Sequence, residues 1–296
     1  MQLLIYILVY PFLWIMSILP TSVLYGFSNF LFFVVYYLFN YRKKVVRENL
    51  CLCFPKKSLH EIKSIEKKFF QHLCDMFVES IKSISISEAE IRKRYKFTNI
   101  EEINKIEAAN KSILLMCAHY GSWEWIFIIQ RYVTTDGYAI YKKIENKYFD
   151  QLVRKIRAKY NTNLITNKET FTSMRDHKRL GKKGIYGFLS DQSPKLKSAY
   201  HWREFMNLKV PVHTGAEKLA KELDLAIVFF KTKKVKRGYY ETTFKTVTLN
   251  PNEFENYQIT DLFINYLEDM IHEEPAYYLW THKRWKHRNN VPKEFQ

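Results

Sequence analysis

Charge is absent from the first part of this chain: between Met1 and Tyr41 there is no Asp, Glu, Lys or Arg. Cysteine is scarce, with four in 296 residues. Cys51, Cys53, Cys74 and Cys117 form no C-x-x-C pair and match neither a zinc-site spacing nor a small disulfide framework, which points to a reducing compartment. Eight glycines and eight prolines are too few for a collagen-like or low-complexity chain. The nine histidines include no H-E-x-x-H or H-x-H, and neither a Walker A nor a G-x-G-x-x-G segment is present, so no metal and no nucleotide cofactor is expected. A G-x-S-x-G nucleophile elbow is also missing, which argues against an esterase. What the chain does have is apolar material: 47% of residues are hydrophobic, which excludes a disordered chain. Its 21 Tyr, 22 Phe and 6 Trp suit a membrane interface as well as a packed core.

The uncharged part divides into two apolar runs of 17 residues, Leu3–Leu19 and Val23–Phe39, separated by Pro20-Thr21-Ser22. At about 1.5 Å per residue each is at the short end for crossing a bilayer. Arg42, Lys43, Lys44 and Arg47 follow at once, which places that end in the cytoplasm. A cleavable signal peptide fits badly, because no basic region precedes the run and the apolar stretch continues beyond any cleavage site. The reading is a membrane anchor over residues 1–41, either one span or a shallow hairpin; a buried helical hairpin of a soluble core is the alternative.

Behind the anchor, Ser58-Leu59-His60-Glu61 is a capping box opening a helix that runs to about Ile84, and Ser87 to Glu90 opens a second. From there buried-strand runs (Ser112–Ala118, Tyr138–Tyr141, Leu164–Thr166, Ile185–Leu189, Ala226–Phe230) alternate with helical stretches at Trp123–Tyr132, Tyr148–Tyr160, Thr170–Leu180 and Gly215–Leu223, the last opened by Thr214-x-x-Glu217. A further strand at Tyr239–Leu249 and a helix at Leu262–His272 complete the pattern. The expected fold is α/β, a mostly buried sheet flanked by helices, with residues 42–296 forming one domain behind the anchor.

The segment with the most chemistry is Ile113-Leu-Leu-Met-Cys-Ala-His119-Tyr-Gly-Ser-Trp-Glu124. A strand ends in His119, a turn follows, and Glu124 falls in the first turn of the next helix. On one continuous helix the two would sit about 140° apart, but with His119 in the turn the carboxylate can swing under the imidazole. That is a base with its orienter: Glu124 sets the tautomer while His119 takes a proton from a hydroxyl. A capping His beside a Glu that favours a helix N-terminus accounts for the same spacing.

Together with the apolar N-terminus, this H-x-x-x-x-E element resembles the glycerolipid and lipid A acyltransferases, and most closely the late acyltransferases of bacterial lipid A. The resemblance covers nearly the whole chain. Asn49-Leu50 with Cys53-Phe54-Pro55, Tyr141-Lys142, Asn146 to Asp150, Arg154 to Arg157, Asp191-Gln192-Ser193-Pro194, Pro211 to Ala220 and Trp280 to Lys286 all follow the family pattern. The resemblance implies a glycerolipid-acyltransferase-like fold and a cytoplasm-facing enzyme of the bacterial inner membrane. It would move a fatty acyl chain from a thioester on acyl carrier protein (acyl-CoA in a variant) to a hydroxyl of a lipid A precursor, with no covalent acyl-enzyme and no cofactor beyond that co-substrate. It implies His119 as general base with Glu124 as partner, and Arg157, Asp191, Gln192 and Lys142 as substrate-binding residues. Arg157 also has a physical task open to it, since a guanidinium holds phosphate or a developing oxyanion with fixed donor geometry; a solvated arginine on a basic helix is the plainer account. Asp191-Gln192 ends a strand where open α/β sheets bind ligands, though a turn-forming Asp is equally at home there. Two departures, Ser122 before Trp123-Glu124 and Lys142-Lys143 after Tyr141, bear on the acceptor headgroup, since Lys lacks a bidentate fork.

The charge balance fits such partners. With 47 Lys+Arg against 30 Asp+Glu the net charge is +17, which attracts an anionic lipid acceptor, an anionic leaflet and an acidic carrier protein. The runs Lys231–Arg237 and Lys283, Arg284, Lys286, Arg288 are candidate docking surfaces or simply solvated faces. Within the same chemistry the acceptor could be another glycolipid, a lysophospholipid or an amino-acid lipid. A non-catalytic, membrane-tethered basic binding module is the reading of another class; no nucleic-acid module is present to support it.

Overall fold

The structure, a computed structural model, describes residues 1–295. Its elements in chain order are α1 (Gln2–Ile18), α2 (Thr21–Phe33), α3 (Lys43–Cys53), α4 (Leu59–Lys82), α5 (Glu88–Arg94), β1 (Tyr95–Phe97), α6 (Glu101–Ala108), β2 (Ile113–Cys117), β3 (Gly137–Tyr141), α7 (Lys147–Arg157), β4 (Asn163–Thr166), α8 (Thr170–Arg179), β5 (Ile185–Leu189), β6 (Trp202–Phe205), β7 (Leu208–Pro211), α9 (Gly215–Leu223), β8 (Ala226–Lys236), β9 (Tyr239–Thr248) and α10 (Gln258–Glu273). Seven strands make one sheet in the order β1-β9-β8-β2-β5-β3-β4, and all pair in parallel except β8 with β9. β2 lies at the centre with every residue buried, as its unbroken Ile-Leu-Leu-Met-Cys run demands of a strand covered on both faces. One apolar cluster packs Leu114 and Met116 against α9, α10 and the C-terminal tryptophans; a second packs Ile113, Leu115 and Cys117 against α6 and Ile129. The expected α/β sheet flanked by helices is what forms.

Local signals account for the elements that were anticipated. The Ser58–Glu61 box is complete: the Ser58 hydroxyl accepts from the Glu61 N–H, and the Glu61 carboxylate accepts from the Ser58 N–H at 2.8 Å. Asn146 caps α7 by accepting from the N–H of Tyr148 at 3.0 Å. At α9 the cap differs from expectation. Thr214 makes no side-chain cap, and Glu217 is buried, where it accepts from the N–H and hydroxyl of Thr260 at 2.9 and 2.6 Å. The stretch after Trp123 is a 3₁₀ segment, Trp125–Arg131, rather than an α-helix. β8 runs six residues past Phe230, to Lys236, because antiparallel pairing with β9 supports its polar half. The β6–β7 hairpin had no sequence signal: its turn residues Met206 and Asn207 both take positive φ, 55° and 61°, without the Asn-Gly or Asp-Gly signature of such turns.

The apolar N-terminus folds against the domain. Residues Thr21–Leu38, α2 with a closing π-turn, make one helix long and apolar enough to cross a membrane. One face of it is polar: Tyr25 donates to Glu79, Ser28 to Asp75 and Tyr36 to Glu66, each at 2.8 Å, all three acceptors lying on α4. The other face leaves Val23, Phe30 and Phe33 about half exposed. α1 bridges α4 and α7. Near its C-terminal end Lys82 and Ser85 donate to the Ser17 carbonyl at 2.8 and 2.6 Å, and near its N-terminal end Tyr6 packs on the rings of Tyr148 and Phe149.

Asp75 is the node of this contact. It is buried and accepts from Ser28, Lys234 and Arg237, whose charges and hydrogen bonds overcome the effect of burial and hold its carboxyl below the usual range. Lys234 and Arg237 are thereby structural, as is Lys231, which pairs with Glu273, so most of the Lys231–Arg237 run is not a free docking face. Removing one partner of a buried pair strands the other charge. Asp75→Ala is therefore expected to cost about 3 kcal/mol; a clear fall in Tm in detergent, absent in Lys233→Ala at an exposed position of β8 next to Lys234, is the check.

Candidate active site

Strand register assembles the site. β2 and β5 pair in parallel with Cys117 opposite Leu189. Each strand then continues two residues, which brings His119 and Asp191 side by side at the carboxyl edge of the sheet, where open α/β sheets place ligands. His119 Nδ1 lies 2.7 Å from Asp191 Oδ1. Asp191 is 2% exposed against 17% for the His119 side chain, so the carboxylate sits beneath and the imidazole faces out.

The turn carrying His119 is held from behind by the C-terminal segment. The His119 carbonyl accepts from the Leu279 N–H at 3.0 Å, and the Gly121 N–H donates to the Tyr277 carbonyl at 3.0 Å. Gly121 has a φ of 61°, and a Cβ there would lie 2.8 Å from the Thr232 carbonyl oxygen, so only glycine fits. The loop after Asp191 is braced from the same side. Arg284 is fully buried, donates to the Pro211 carbonyl at 3.1 Å, and its own carbonyl accepts from the Ser193 hydroxyl at 2.5 Å. Arg284 thus leaves the group of candidate docking residues: it is packed over the Phe205 ring in the interior. Asn49 clasps this segment by donating to the carbonyls of Trp280 and His282, both at 2.9 Å.

Glu124 does not sit under the imidazole. It forms a bidentate pair with Arg157, the last residue of α7, with Arg157 Nε 3.0 Å from Glu124 Oε2 and Nη2 on Oε1. The orienting carboxylate inferred from the spacing is therefore replaced by Asp191, which the sequence reading had placed among substrate-binding residues. The reason is register: Asp191 reaches Nδ1 from the neighbouring strand, while Arg157 draws Glu124 the other way. Trp123 stands between, its ring edge-on to the imidazole with centroids 5.2 Å apart. Gln192 is half-buried, Lys142 is exposed just beyond β3, and neither side chain is hydrogen-bonded within the described residues.

Burial disfavours a charged imidazole, but the Asp191 charge and hydrogen bond, helped by Glu124, outweigh it and raise the His119 pKa. Burial likewise opposes ionisation of Asp191, and the His119 charge with the backbone N–H groups of His119 and Asp191 brings it below the usual carboxylate range. Asp191 is thus ionised and acceptor-only, which makes Nδ1 the protonated nitrogen and leaves Nε2 as a lone-pair base. Among the described residues no cluster of His, Cys, Asp and Glu could hold a metal ion.

An apolar cavity opens beside this pair. It runs along β2, β5 and β3, from Leu189 and Trp123 at their carboxyl ends to Gly137 and Ile185 at their amino ends, about 16 Å for five-residue strands. Its walls include Leu115, Ile126, Phe127, Ala139 and Gly187, and its charged lining is Glu124 and Arg157. Gln130 lines the end near Gly137, its Oε1 accepting from the Gly137 N–H at 3.0 Å. The arrangement offers a base, an arginine fixed by a carboxylate, and a channel for one apolar chain.

Comparison with known proteins gives the family. The profile of the bacterial lipid A biosynthesis acyltransferase family matches residues 1–287. The chain is 23% identical over 288 residues to the lipid A biosynthesis lauroyltransferase of Escherichia coli (strain K12), an alignment that covers 96% of this chain and 92% of that protein.

Proposed function

The chain belongs to the bacterial lipid A biosynthesis acyltransferase family, and we propose that it transfers a fatty acyl chain from the thioester of acyl carrier protein to a hydroxyl of a lipid A precursor. The observation that carries this is the His119–Asp191 pair at the same carboxyl edge of the sheet as an apolar channel whose charged lining is Glu124 and Arg157. The donor's chain lies in the channel, which puts its thioester carbonyl beside Arg157. The acceptor hydroxyl attacks the carbonyl carbon while His119 Nε2 takes its proton. Arg157, held by Glu124, faces the oxygen on which negative charge develops. As the C–S bond breaks, the proton passes from His119 to the leaving thiolate, and the products are an ester and a free thiol.

Lys142 and Gln192, beside the same sheet edge, meet the polar head of the acceptor. Residues 1–41 form the membrane anchor of a catalytic unit spanning 42–296, set on the cytoplasmic side of the bacterial inner membrane by Arg42, Lys43 and Lys44. The +17 net charge draws in the acidic carrier protein and the anionic acceptor.

The test is transfer by the purified protein in detergent, offering acyl carrier protein and CoA thioesters against a tetra-acylated lipid A precursor, read by mass spectrometry. A product heavier by one acyl chain is expected, with the carrier-protein donor preferred. Turnover with no pairing of these substrates, or equal use of CoA, would defeat the whole reading or its donor assignment respectively.

Channel length is open to the same assay. Gly187 lines the channel, and a Cβ there would meet nothing closer than the Tyr138 carbonyl oxygen at 3.9 Å, so a larger side chain enters the channel rather than the backbone. Gly187→Leu is expected to lower kcat/KM for the best long donor by at least about tenfold and to move the optimum to shorter chains. An unchanged chain-length profile would place the acyl chain elsewhere.

A further inference from the structure

A second apolar groove reaches Glu124 from the opposite side. It is lined by Leu73, Met76, Phe77, Glu79 and Ser80 of α4, and it shares Trp123 and Glu124 with the strand-lined channel. The two therefore meet at one place, next to the imidazole against which Trp123 packs. They differ in kind. The channel lies along three strands with Gln130 in its lining, whereas the α4 groove has Phe77 52% exposed along it.

We propose that the α4 groove binds an acyl chain of the lipid acceptor, so that donor and acceptor chains approach Glu124 from opposite sides of Trp123. The inference rests on the acyl-transfer reading above, because a transferase needs both substrates at one point and this site has two apolar approaches to it. The channel between the strands suits a chain delivered end-first from a soluble carrier. The open groove suits a chain already in a membrane. Its wall, α4, is the helix on which α1 and α2 pack, and those helices present Leu8, Phe12, Ile15, Phe30 and Phe33 to the surroundings, each at least 51% exposed. Val78 and Ile81 of α4 are covered by Met16 and Leu24 and Asp75 bonds to α2, whereas Leu73, Met76 and Phe77 line the groove that runs to Glu124, together with Glu79, whose carboxylate accepts from Tyr25. A lipid sliding along that side brings its headgroup to Trp123 and its hydroxyl to His119.

The test is a split between the two Michaelis constants. Filling the groove with Leu73→Phe/Met76→Phe is expected to raise KM for the tetra-acylated precursor tenfold or more, with the donor KM and its chain-length optimum unchanged. Phe77→Ser, a polar change at an exposed position that leaves the core alone, is expected to shift KM in the same direction. An unmoved acceptor KM in both, or a shift in donor chain length instead, would overturn the proposal.

The groove can also be read without turnover. In a Gly187→Leu background, whose shortened donor channel no longer admits a long chain, a long-chain dibrominated fatty acid in the groove is expected to quench Trp123 and Trp125 fluorescence saturably. Leu73→Phe/Met76→Phe is expected to remove that quenching. If the enzyme transfers nothing to the precursor, the acyl-transfer reading fails while this signal still decides the groove; no saturable quenching would overturn the groove even where transfer proceeds.

Discussion

His119→Ala is expected to lower kcat for acyl transfer by about 10²- to 10⁴-fold, the range for loss of a positioned general base. The KM for the thioester should change little, because His119 does not line the apolar channel that holds the chain. Binding to anionic vesicles should be intact, since His119 is not among the exposed apolar residues of α1 and α2. The same pair of measurements separates an enzyme from a basic binding module, which would have no turnover to lose. Glu124→Ala belongs in the same experiment. It frees Arg157, so its loss should fall on kcat through a misplaced guanidinium, and Glu124→Gln should restore part of it by keeping one hydrogen bond. Full activity in His119→Ala would remove the base from the mechanism altogether.

Asp191→Asn is expected to be nearly as severe and to leave a distinct signature. Its carboxylate is the group that holds the proton on Nδ1. An amide presents a donor as readily as an acceptor, and the imidazole can then protonate Nε2 and lose its base; in the serine-protease triad the equivalent change costs about 10⁴ in kcat. The pH profile supplies the sign. The base works neutral, so activity falls as pH drops through the His119 pKa, which the structure raises above the ordinary histidine value. Without the Asp191 charge, burial is left as the dominant influence and acts in the other direction. The acid limb of kcat should therefore move to lower pH in Asp191→Asn while the plateau falls. A plateau that falls with the acid limb fixed would mean that Asp191 acts only through packing, and a limb that moves upward would contradict the charge argument.

The turn holding His119 was legible because a buried run, a histidine and a glycine lie within nine residues. The partner of that histidine was not, because Glu124 is five residues away along the chain and Asp191 is 72. Proximity in sequence favoured Glu124, whereas the carboxylate hydrogen-bonded to the imidazole is Asp191. Arg284 misled for a similar reason: among Lys283, Lys286 and Arg288 it reads as one more solvated charge, yet the fold buries it between the Pro211 and Ser193 segments. The β6–β7 hairpin escaped notice because Met206-Asn207 adopts positive φ without glycine.

The amino-acid sequence by itself determined the elements and the chemistry available to them. An uncharged 41-residue start, the Ser58–Glu61 box, the buried run ending at His119 and the second ending before Asp191 are each written within a few consecutive residues, which is the range over which periodicity, capping and turn propensity act. Only the tertiary structure decided which of these ends meet. The order of strands placed β5 beside β2, and the Cys117–Leu189 register carried Asp191 rather than Glu124 to the imidazole. It also turned Asp75, Lys234, Arg237 and Arg284 inward as struts. Those outcomes depend on contacts between segments tens to hundreds of residues apart, whose pairing is chosen by the burial of the whole sheet and not by any local run of side chains.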